Sequence, residues 1–283
     1  ADFNFITNLI EKHKTGLPAQ QIDSVTNDID ELLEELNVVS RWQFNITVLK
    51  THIGGIGPGN LMIAFARPEV GKTAFWVSLV SAPYGFAHQG AKVHAFINEE
   101  PAVRTQMRAI SSFTGLNKEQ ITEDVSAARE EWVKIKDNIT MIDTVDWSMD
   151  DIDSHCEKYK PDIIVIDQLD KVNISGTFAR TDEKLRAIYT SAREIAKRRD
   201  CVVIAISQAS ADADNKDHIS FTMMENSKTG KAAEADLIIG IGNREASNPD
   251  NDSRVLNVSK NKITGWHGRP HCILDRYTSR FTG

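Results

Sequence analysis

The fold is decided by the segment LMIAFARPEVGKTAFWV, residues 61–77. The apolar run Leu61–Phe65 predicts a buried strand, and the stretch after Thr73 predicts a helix. Gly71 allows the backbone to approach a ligand, and the N–H groups at a helix start attract anions. Lys72 would place a positive charge beside the outer phosphates, and Thr73 would offer a hydroxyl to Mg²⁺. This order of strand, loop and helix predicts a phosphate-binding loop made of Ala66, Arg67, Pro68, Glu69, Val70, Gly71, Lys72, Thr73 and Ala74.

Composition and charge narrow the class of protein. The 283 residues are 41% hydrophobic and 26% charged, which suits one large globular domain or a domain with an appendage. Cys156, Cys201 and Cys272 are too far apart for a disulfide framework or a CxxC zinc site, and they favour a reducing compartment. The net charge of −7 argues against a protein that coats nucleic acid with its whole surface, but allows a local basic channel. Without a long apolar run or a signal-peptide pattern, we expect a cytoplasmic location and no membrane partner.

Strands and helices alternate from residue 46 onwards, which predicts an α/β fold with a mostly parallel sheet covered by helices on both faces. The predicted strands are Leu61–Phe65, Val93–Ile97, Ile163–Ile166, Cys201–Ile206 and Leu237–Ile241, with Val255–Val258 and Cys272–Leu274 as a closing hairpin. The predicted helices are 72–82, 101–113, 118–135, 149–159 and 181–199. In such a sheet, ligands bind at the carboxyl ends of the strands.

Residues 1–45 predict a short N-terminal helical arm or linker ahead of the domain formed by 46–283. A short helix is predicted within 1–18. Apolar residues at steps of three and four predict one acidic amphipathic helix over 19–37. This helix could pack on its own domain or dock on a neighbouring subunit, and both interpretations remain open.

Polar side chains follow three of the predicted strands. Asp167 ends an apolar strand, where a buried carboxylate needs a positive partner such as hydrated Mg²⁺. Glu99 and Glu100 end another strand and should point in opposite directions, so that one of them could polarise a water molecule. The other could favour the helix that starts at Pro101. Gln208 offers a neutral amide that could sense a γ-phosphate.

Together these motifs resemble the RecA-like motor of the DnaB-type replicative helicases, including the phage forms. The resemblance spans most of 46–283 and is carried by Gly55–Leu61, Ala66–Phe75, Glu99, Asp167–Leu169, Ser207–Gln208, Glu225–Gly230 and Ala235–Ile239. It implies a RecA-like P-loop NTPase that binds ATP, or another NTP or dNTP, with Mg²⁺ on Thr73 and Asp167. It also implies that Lys72, Glu99 and Gln208 act in hydrolysis.

A further stretch, Lys260–Gly265, resembles the segment in which the family carries an arginine finger that acts on the neighbouring subunit's nucleotide. Lys262 stands at the finger position, and Lys260 is its rival. A lysine supplies the charge of an arginine but not its planar fork. Arg244 lies near the place where the family stacks a basic side chain on the nucleotide base.

The resemblance also implies partners. It predicts a homo-oligomer, expected to be a hexameric ring, that hydrolyses nucleotide between subunits and tracks single-stranded DNA without sequence preference. Primase or other replisome proteins are further expected partners. The loops Lys171–Arg180 and Ala209–Met224 would line the channel, although the second loop is net acidic. Two alternatives remain open: a RecA/RadA-like recombination ATPase, and a regulatory RecA-fold ATPase that does not bind DNA.

Overall fold

The computed structural model describes residues 25, 27–226, 230–245, 248 and 250–283. The chain divides between Asn37 and Val38 into two units. Helix α1 (Ile29–Val39) begins after Asp28, whose carboxylate accepts hydrogen bonds from the N–H groups of Asp30 and Glu31. The helix predicted over 19–37 is therefore too long, because Asp28 caps a helix that starts at Ile29. Its residues 19–24 and 26, and the helix predicted within 1–18, lie outside the described residues.

The remaining elements follow the predicted alternation. The strands are β1 (Trp42–Gln43), β2 (Gly55–Ile56), β3 (Leu61–Ala66), β4 (Val93–Ile97), β5 (Ile139–Asp143), β6 (Ile163–Asp167), β7 (Val202–Gln208), β8 (Leu237–Gly242), β9 (Ser253–Asn261), β10 (His271–Asp275) and β11 (Arg280–Thr282). The helices are α2 (Thr47–His52), α3 (Lys72–Ser81), α4 (Ala102–Thr114), α5 (Lys118–Glu123), α6 (Val125–Trp132), α7 (Met149–Tyr159), α8 (Thr181–Arg198) and α9 (Gly230–Glu234).

Among the described residues, nine strands form one sheet in the order β11-β10-β9-β8-β3-β7-β6-β4-β5. The strands from β5 to β8 in this order are parallel, and β9 to β11 are antiparallel. This confirms the mostly parallel sheet and the closing hairpin, in which Cys272 lies opposite Arg254. Strand β3, which leads into the phosphate loop, lies between β7 and β8 in the middle of the sheet.

Helices cover both faces of the sheet. Alternate residues of β3 point to opposite sides, so that Met62 packs in one apolar cluster with Trp76 of α3. Ile63 packs in a second cluster with Ile188 and Tyr189 of α8. Burial of β3 on both faces explains why its sequence is a continuous apolar run.

The short elements β1, β2, β11, α2 and α9 were not predicted, and two further elements also differ from the prediction. The single helix expected over 118–135 is interrupted at Asp124, which ends α5 and whose carboxylate caps α6 through the N–H of Ala127. An aspartate favours a cap because its side chain competes for backbone donors. Strand β5 was not predicted, because it lies at the sheet edge and interleaves exposed polar residues such as Thr140 with its apolar ones.

Candidate nucleotide-binding site

The phosphate loop joins the end of β3 at Ala66 to the start of α3 at Lys72. Gly71, the residue before the helix, has a φ of +115°, which side chains rarely adopt. A Cβ atom at this position would also lie 2.8 Å from Cδ2 of Leu274. The loop therefore needs glycine here, and its backbone N–H groups and the start of α3 form a surface whose electrostatics favour an anion.

Lys72 places its side chain inside this surface, with 7% of the residue exposed. Burial lowers the pKa of the Lys72 ammonium, while the nearby carboxylates of Glu99 and Asp167 oppose that shift. The structure thus brings together the three charged residues predicted for catalysis and metal binding, from α3, β6 and the end of β4.

Asp167 has the environment expected of a Mg²⁺-associated carboxylate. Its Oδ2 accepts hydrogen bonds from Thr73 Oγ1 at 3.1 Å and from Trp76 Nε1 at 2.8 Å. Its Oδ1 is buried and has no hydrogen-bond partner among the described residues. Burial raises the pKa of Asp167, because an ionised carboxylate is costly away from water. A cation with its water shell would stabilise this group. The contact from Trp76 was not predicted from the sequence.

The described residues contain no cluster of three or more histidine, cysteine or acidic side chains that could enclose a metal ion. Mg²⁺ in proteins usually keeps several waters and is held by one or two protein oxygens together with substrate phosphates. The hydroxyl of Thr73 and the carboxylate of Asp167 are the oxygens that the site offers.

Glu99 and Glu100 turn to different partners, as expected for neighbours at a strand end. The Glu99 carboxylate accepts a hydrogen bond from Gln168 Nε2 at 2.8 Å and lies 3.4 Å from Lys171 Nζ. Glu100 accepts a hydrogen bond from Thr105 Oγ1 and pairs with an arginine of α4. Of the two carboxylates, Glu99 is the one whose charge acts on Lys72 and Asp167.

Asn98 fixes the strand ends that carry these carboxylates, and sequence reasoning missed it. Its Oδ1 accepts a hydrogen bond from the backbone N–H of Gln168 at 2.6 Å, and its Nδ2 donates to the Gln168 carbonyl at 2.9 Å. Its own N–H donates to the carbonyl of Asp167. An asparagine directly after an apolar strand is the sequence signal that could have identified these hydrogen bonds.

Gln208 lies at the end of β7 in register with Ala66, the first residue of the phosphate loop. The next N–H group, that of Ala209, donates to the Ala66 carbonyl at 3.0 Å. The structure therefore places the predicted γ-phosphate sensor beside the loop.

Two arginines support the loop in ways that the sequence did not reveal. The guanidinium of Arg67 donates to Asp214 and to the carbonyl of Ala209. Arg254 of β9 is 1% exposed, and its Nε donates to the carbonyl of Val70 at 2.7 Å. Burial lowers the pKa of Arg254 to about 10. The loop is thus held from two sides by distant parts of the chain.

Lys260 and Lys262 are not brought to this site within one chain. Lys260 lies opposite Ile238 at the start of β8, whereas the phosphate loop follows the other end of the neighbouring β3. The Lys262 N–H donates to Asp236, the residue before β8. Five residues of strand separate the level of Asp236 from the phosphate loop. This distance is about 16 Å, which is further than a lysine side chain reaches. The Lys260 ammonium donates to the last carbonyls of α9, including Ala233 at 3.2 Å.

Arg244 follows the carboxyl end of β8 and is exposed, with its Nε 3.4 Å from Asp217. Beside the phosphate loop there is a cavity of about 660 Å³, which borders Gly71 and Ala74. Its wall includes Arg104 and Met107 of α4 and Tyr277, which is 81% exposed. Sequence reasoning missed Tyr277, which lies in the short connection between β10 and β11.

Comparisons with known proteins agree with this geometry. Residues 43–282 match the family described as the DnaB-like helicase C-terminal domain. The replicative DNA helicase DnaB of Haemophilus influenzae is 23% identical over 270 residues, covering 87% of this chain and 57% of that protein. The DnaB of Pasteurella multocida is 24% identical, covering 71% of this chain and 46% of that protein. The chain thus spans about half the length of the curated relatives it matches.

Solved structures show the same fold. A DnaB-like replicative helicase, described with its interactions with primase, has a TM-score of 0.73 at 20% identity, and the match covers 98% of this chain and 70% of that one. A second solved structure, described as an ATPase domain, has the same TM-score and identity, and the match covers 92% of this chain and 99% of that one. The predicted RecA-like P-loop architecture is confirmed. From the family match over most of its length, the chain belongs to the DnaB-like helicase C-terminal domain family.

Proposed function

We propose that this chain is the ATP-driven motor of a replicative DNA helicase, hydrolysing nucleotide between subunits to move along single-stranded DNA. The observation that carries the proposal is the convergence of Lys72, Thr73, Asp167 and Glu99 behind the phosphate loop of a DnaB-like domain. The relatives named replicative DNA helicase support the same activity.

In the proposed reaction, the phosphate loop and Lys72 hold the β- and γ-phosphates of ATP. Mg²⁺ on Thr73 and Asp167 would neutralise charge on those phosphates. Glu99 orients a water molecule and accepts its proton as the water oxygen bonds to the γ-phosphorus. The bond from the γ-phosphorus to the bridging oxygen breaks, and ADP and phosphate leave. Gln208 contacts the γ-phosphate and changes partner when it departs.

A neighbouring subunit completes this site. The described part of one chain places Lys262 at the opposite edge of the sheet from the phosphate loop, so its charge would act on the next subunit's nucleotide. The proposed assembly is a homo-oligomer with sites at its interfaces, and a hexameric ring is the form that we expect. Lys260, held on the carbonyls of α9, would fix the position of Lys262.

The cavity beside Gly71 is the proposed place for the nucleotide base. It adjoins the phosphate loop and offers the flat side of Tyr277 and the thioether of Met107. Stacking on an aromatic ring accepts any base, which agrees with ATP or another NTP as the substrate. Arg244 remains the alternative base contact.

The two predicted loops are the proposed DNA contacts. Arg180 at the end of the first loop, and Ser210 and Thr222 of the second, line one groove of about 490 Å³. The acidity of the second loop is partly offset, because Asp214 pairs with Arg67 and Asp217 pairs with Arg244. Sequence-nonspecific binding of single-stranded DNA is proposed over the regulatory alternative without DNA, because the matched family is one of DNA helicase domains.

The segment 1–45 is proposed to act as an arm that docks on a neighbouring subunit. Within its described part, Ile29, Leu33 and Leu36 of α1 are exposed apolar residues. Primase or other replisome proteins are proposed partners, and a replication motor would work in the cytoplasm of a bacterium or of a phage-infected host. No helix among the described residues combines the length and apolarity needed to cross a bilayer.

The test is ATP hydrolysis by the purified chain with and without a single-stranded oligonucleotide, followed by strand separation on a forked duplex. Lys72→Ala should abolish turnover, because it removes the charge that faces the phosphates. Lys136→Ala, an exposed lysine before the edge strand β5, is the matched control and should retain it. Unchanged turnover in a folded Lys72→Ala protein would contradict the site, and ATPase activity indifferent to DNA would contradict the motor.

A further inference from the structure

Behind the nucleotide site lies a lysine that the hydrolysis reaction does not use. Lys231 of α9 is 0% exposed, and its Nζ lies 2.8 Å from Asp170 Oδ1. It also donates to Ser207 Oγ at 3.1 Å and lies 5.5 Å from the centre of the Tyr189 ring. A buried ammonium is costly unless it is paired and hydrogen-bonded, so a network this deep constrains the elements that it joins.

The acid of this pair is equally well bonded. Asp170 Oδ1 accepts a hydrogen bond from the Tyr189 hydroxyl at 2.9 Å, and Oδ2 accepts one from Ser207 Oγ at 2.7 Å. The two charges are therefore joined both directly and through the Ser207 hydroxyl. Removing either charge would take away one member of this buried ion pair.

The ion pair of Lys231 and Asp170 connects the carboxyl ends of β6 and β7. Asp170 lies three residues after Asp167, in the turn that follows β6, and Ser207 immediately precedes Gln208 in β7. A shift of the Asp170 side chain would therefore move the ends of both strands relative to each other.

The pair also fixes the return of the second loop. This loop leaves the sheet after Gln208 and comes back against it, since the Glu225 N–H donates to the Gln208 carbonyl at 2.9 Å. Ser210 donates to the carbonyl of Met223 in the same way. Lys231 lies six residues after Glu225, so its buried ammonium anchors the returning chain to the strand ends that flank the nucleotide.

We propose that Lys231 and Asp170 are positioning residues, which hold Asp167 and Gln208 in register and couple Gln208 to the second loop. This inference rests on the proposed ATPase function for its kinetic readout. Among the described residues, no hydrogen bond or ion pair joins either side chain to the phosphate loop, so nucleotide affinity should be nearly independent of the pair while turnover depends on it.

The experiment compares Lys231→Met, Asp170→Asn and the double variant with the wild-type chain. Each single variant should lower the melting midpoint by about 6–20 °C, because it removes one charge of a buried ion pair. The double variant should return to within about 5 °C of wild type, because it buries no charge. Its kcat should nevertheless fall at least about tenfold, with KM for ATP changed less than about threefold.

The matched control is Arg199→Met, which breaks another largely buried pair, formed directly after α8 with Asp153 of α7. It should lower the melting midpoint but leave kcat within about twofold of wild type. A double variant with the midpoint and the kcat of wild type would overturn the proposal, because the pair would then be merely structural.

If the double variant does not fold, Ser207→Ala serves as the milder perturbation. It removes the hydroxyl that joins the two charges, and kcat should fall by about 3–10-fold with the midpoint within about 5 °C. A wild-type kcat in this variant would overturn the proposal.

Hydrogen exchange separates failure of this inference from failure of the proposed function. Absence of ATP turnover in the wild-type chain would refute the proposed function alone. In the nucleotide-free double variant, or in Ser207→Ala where that replaces it, the amides of Ala209, Ser210 and Glu225 should exchange at least about tenfold faster than in Arg199→Met. Equal exchange in the two proteins would overturn the positioning role whatever the ATPase result.

Discussion

Replacing Glu99 with glutamine removes one negative charge and a proton acceptor while keeping the size of the side chain. The carboxylate is held by Gln168 Nε2 at 2.8 Å and lies 3.4 Å from Lys171 Nζ. Both Glu99 and Lys171 are partly exposed, so losing their attraction costs only about 0–1 kcal/mol of folding stability. We therefore expect Glu99→Gln to fold with a nearly unchanged melting midpoint.

The effect on hydrolysis should be far larger. Loss of a positioned general base slows a reaction by about 10²–10⁴-fold, or about 3–5 kcal/mol in the barrier. Nucleotide affinity should be equal or higher, because Glu99 no longer places a negative charge near the γ-phosphate. The pair of results, slow turnover with intact binding, distinguishes a base from a residue that holds the phosphates.

Glu100→Gln is the matched control, with the same chemical change one residue away. Its carboxylate bonds Thr105 and Arg108, so we expect turnover within about threefold of wild type. The assay is single-turnover hydrolysis of ATP at saturating protein, with fluorescent nucleotide titration for affinity. The assignment of the base would be refuted if Glu100→Gln lost turnover and Glu99→Gln retained it.

Three further predictions concern the same site. Lys72→Ala and Lys262→Ala chains should each be nearly inactive. Mixing them should restore part of the turnover, because some interfaces would join an intact phosphate loop to an intact Lys262. Normal ATP hydrolysis by Lys262→Ala alone would show that this lysine does not act in trans. Tyr277→Ala should raise KM for ATP by about 3–10-fold through lost stacking, with Arg244→Ala nearly neutral, and the opposite order would place the base at Arg244. Asp167→Asn should raise the melting midpoint of the nucleotide-free chain at pH 7–8, because burial raises the pKa of Asp167 and its ionised form destabilises the fold. The native state holds the proton on Asp167 more tightly than the unfolded chain does. The gain in melting midpoint should therefore shrink as the pH falls below the raised pKa towards the pKa of the unfolded chain. A lower midpoint for Asp167→Asn at pH 7–8 would contradict this reasoning.

Local patterns in the sequence were sufficient for the framework of the site. The strand, the loop with Gly71 and the helix after Lys72 are neighbours along the chain, and their conformation depends mainly on their own residues. The buried strands that end at Asp167 and Gln208 were also predictable, because burial on both faces leaves a continuous apolar run. Strand β5 escaped prediction because an edge strand lacks that run.

The supports of the site were decided by the tertiary structure. Arg254 and Val70 are 184 residues apart, and Trp76 and Asp167 are 91 residues apart. Such contacts depend on strand order and on which side chains face one another across the sheet, and no local pattern encodes either property. The same reason explains why Lys231 lies in the core, although lysine is a residue type usually found at the surface. The sequence shows only that residue 231 carries a charge. The packing of α9 against Asp170, Ser207 and Tyr189 determines that this charge is buried.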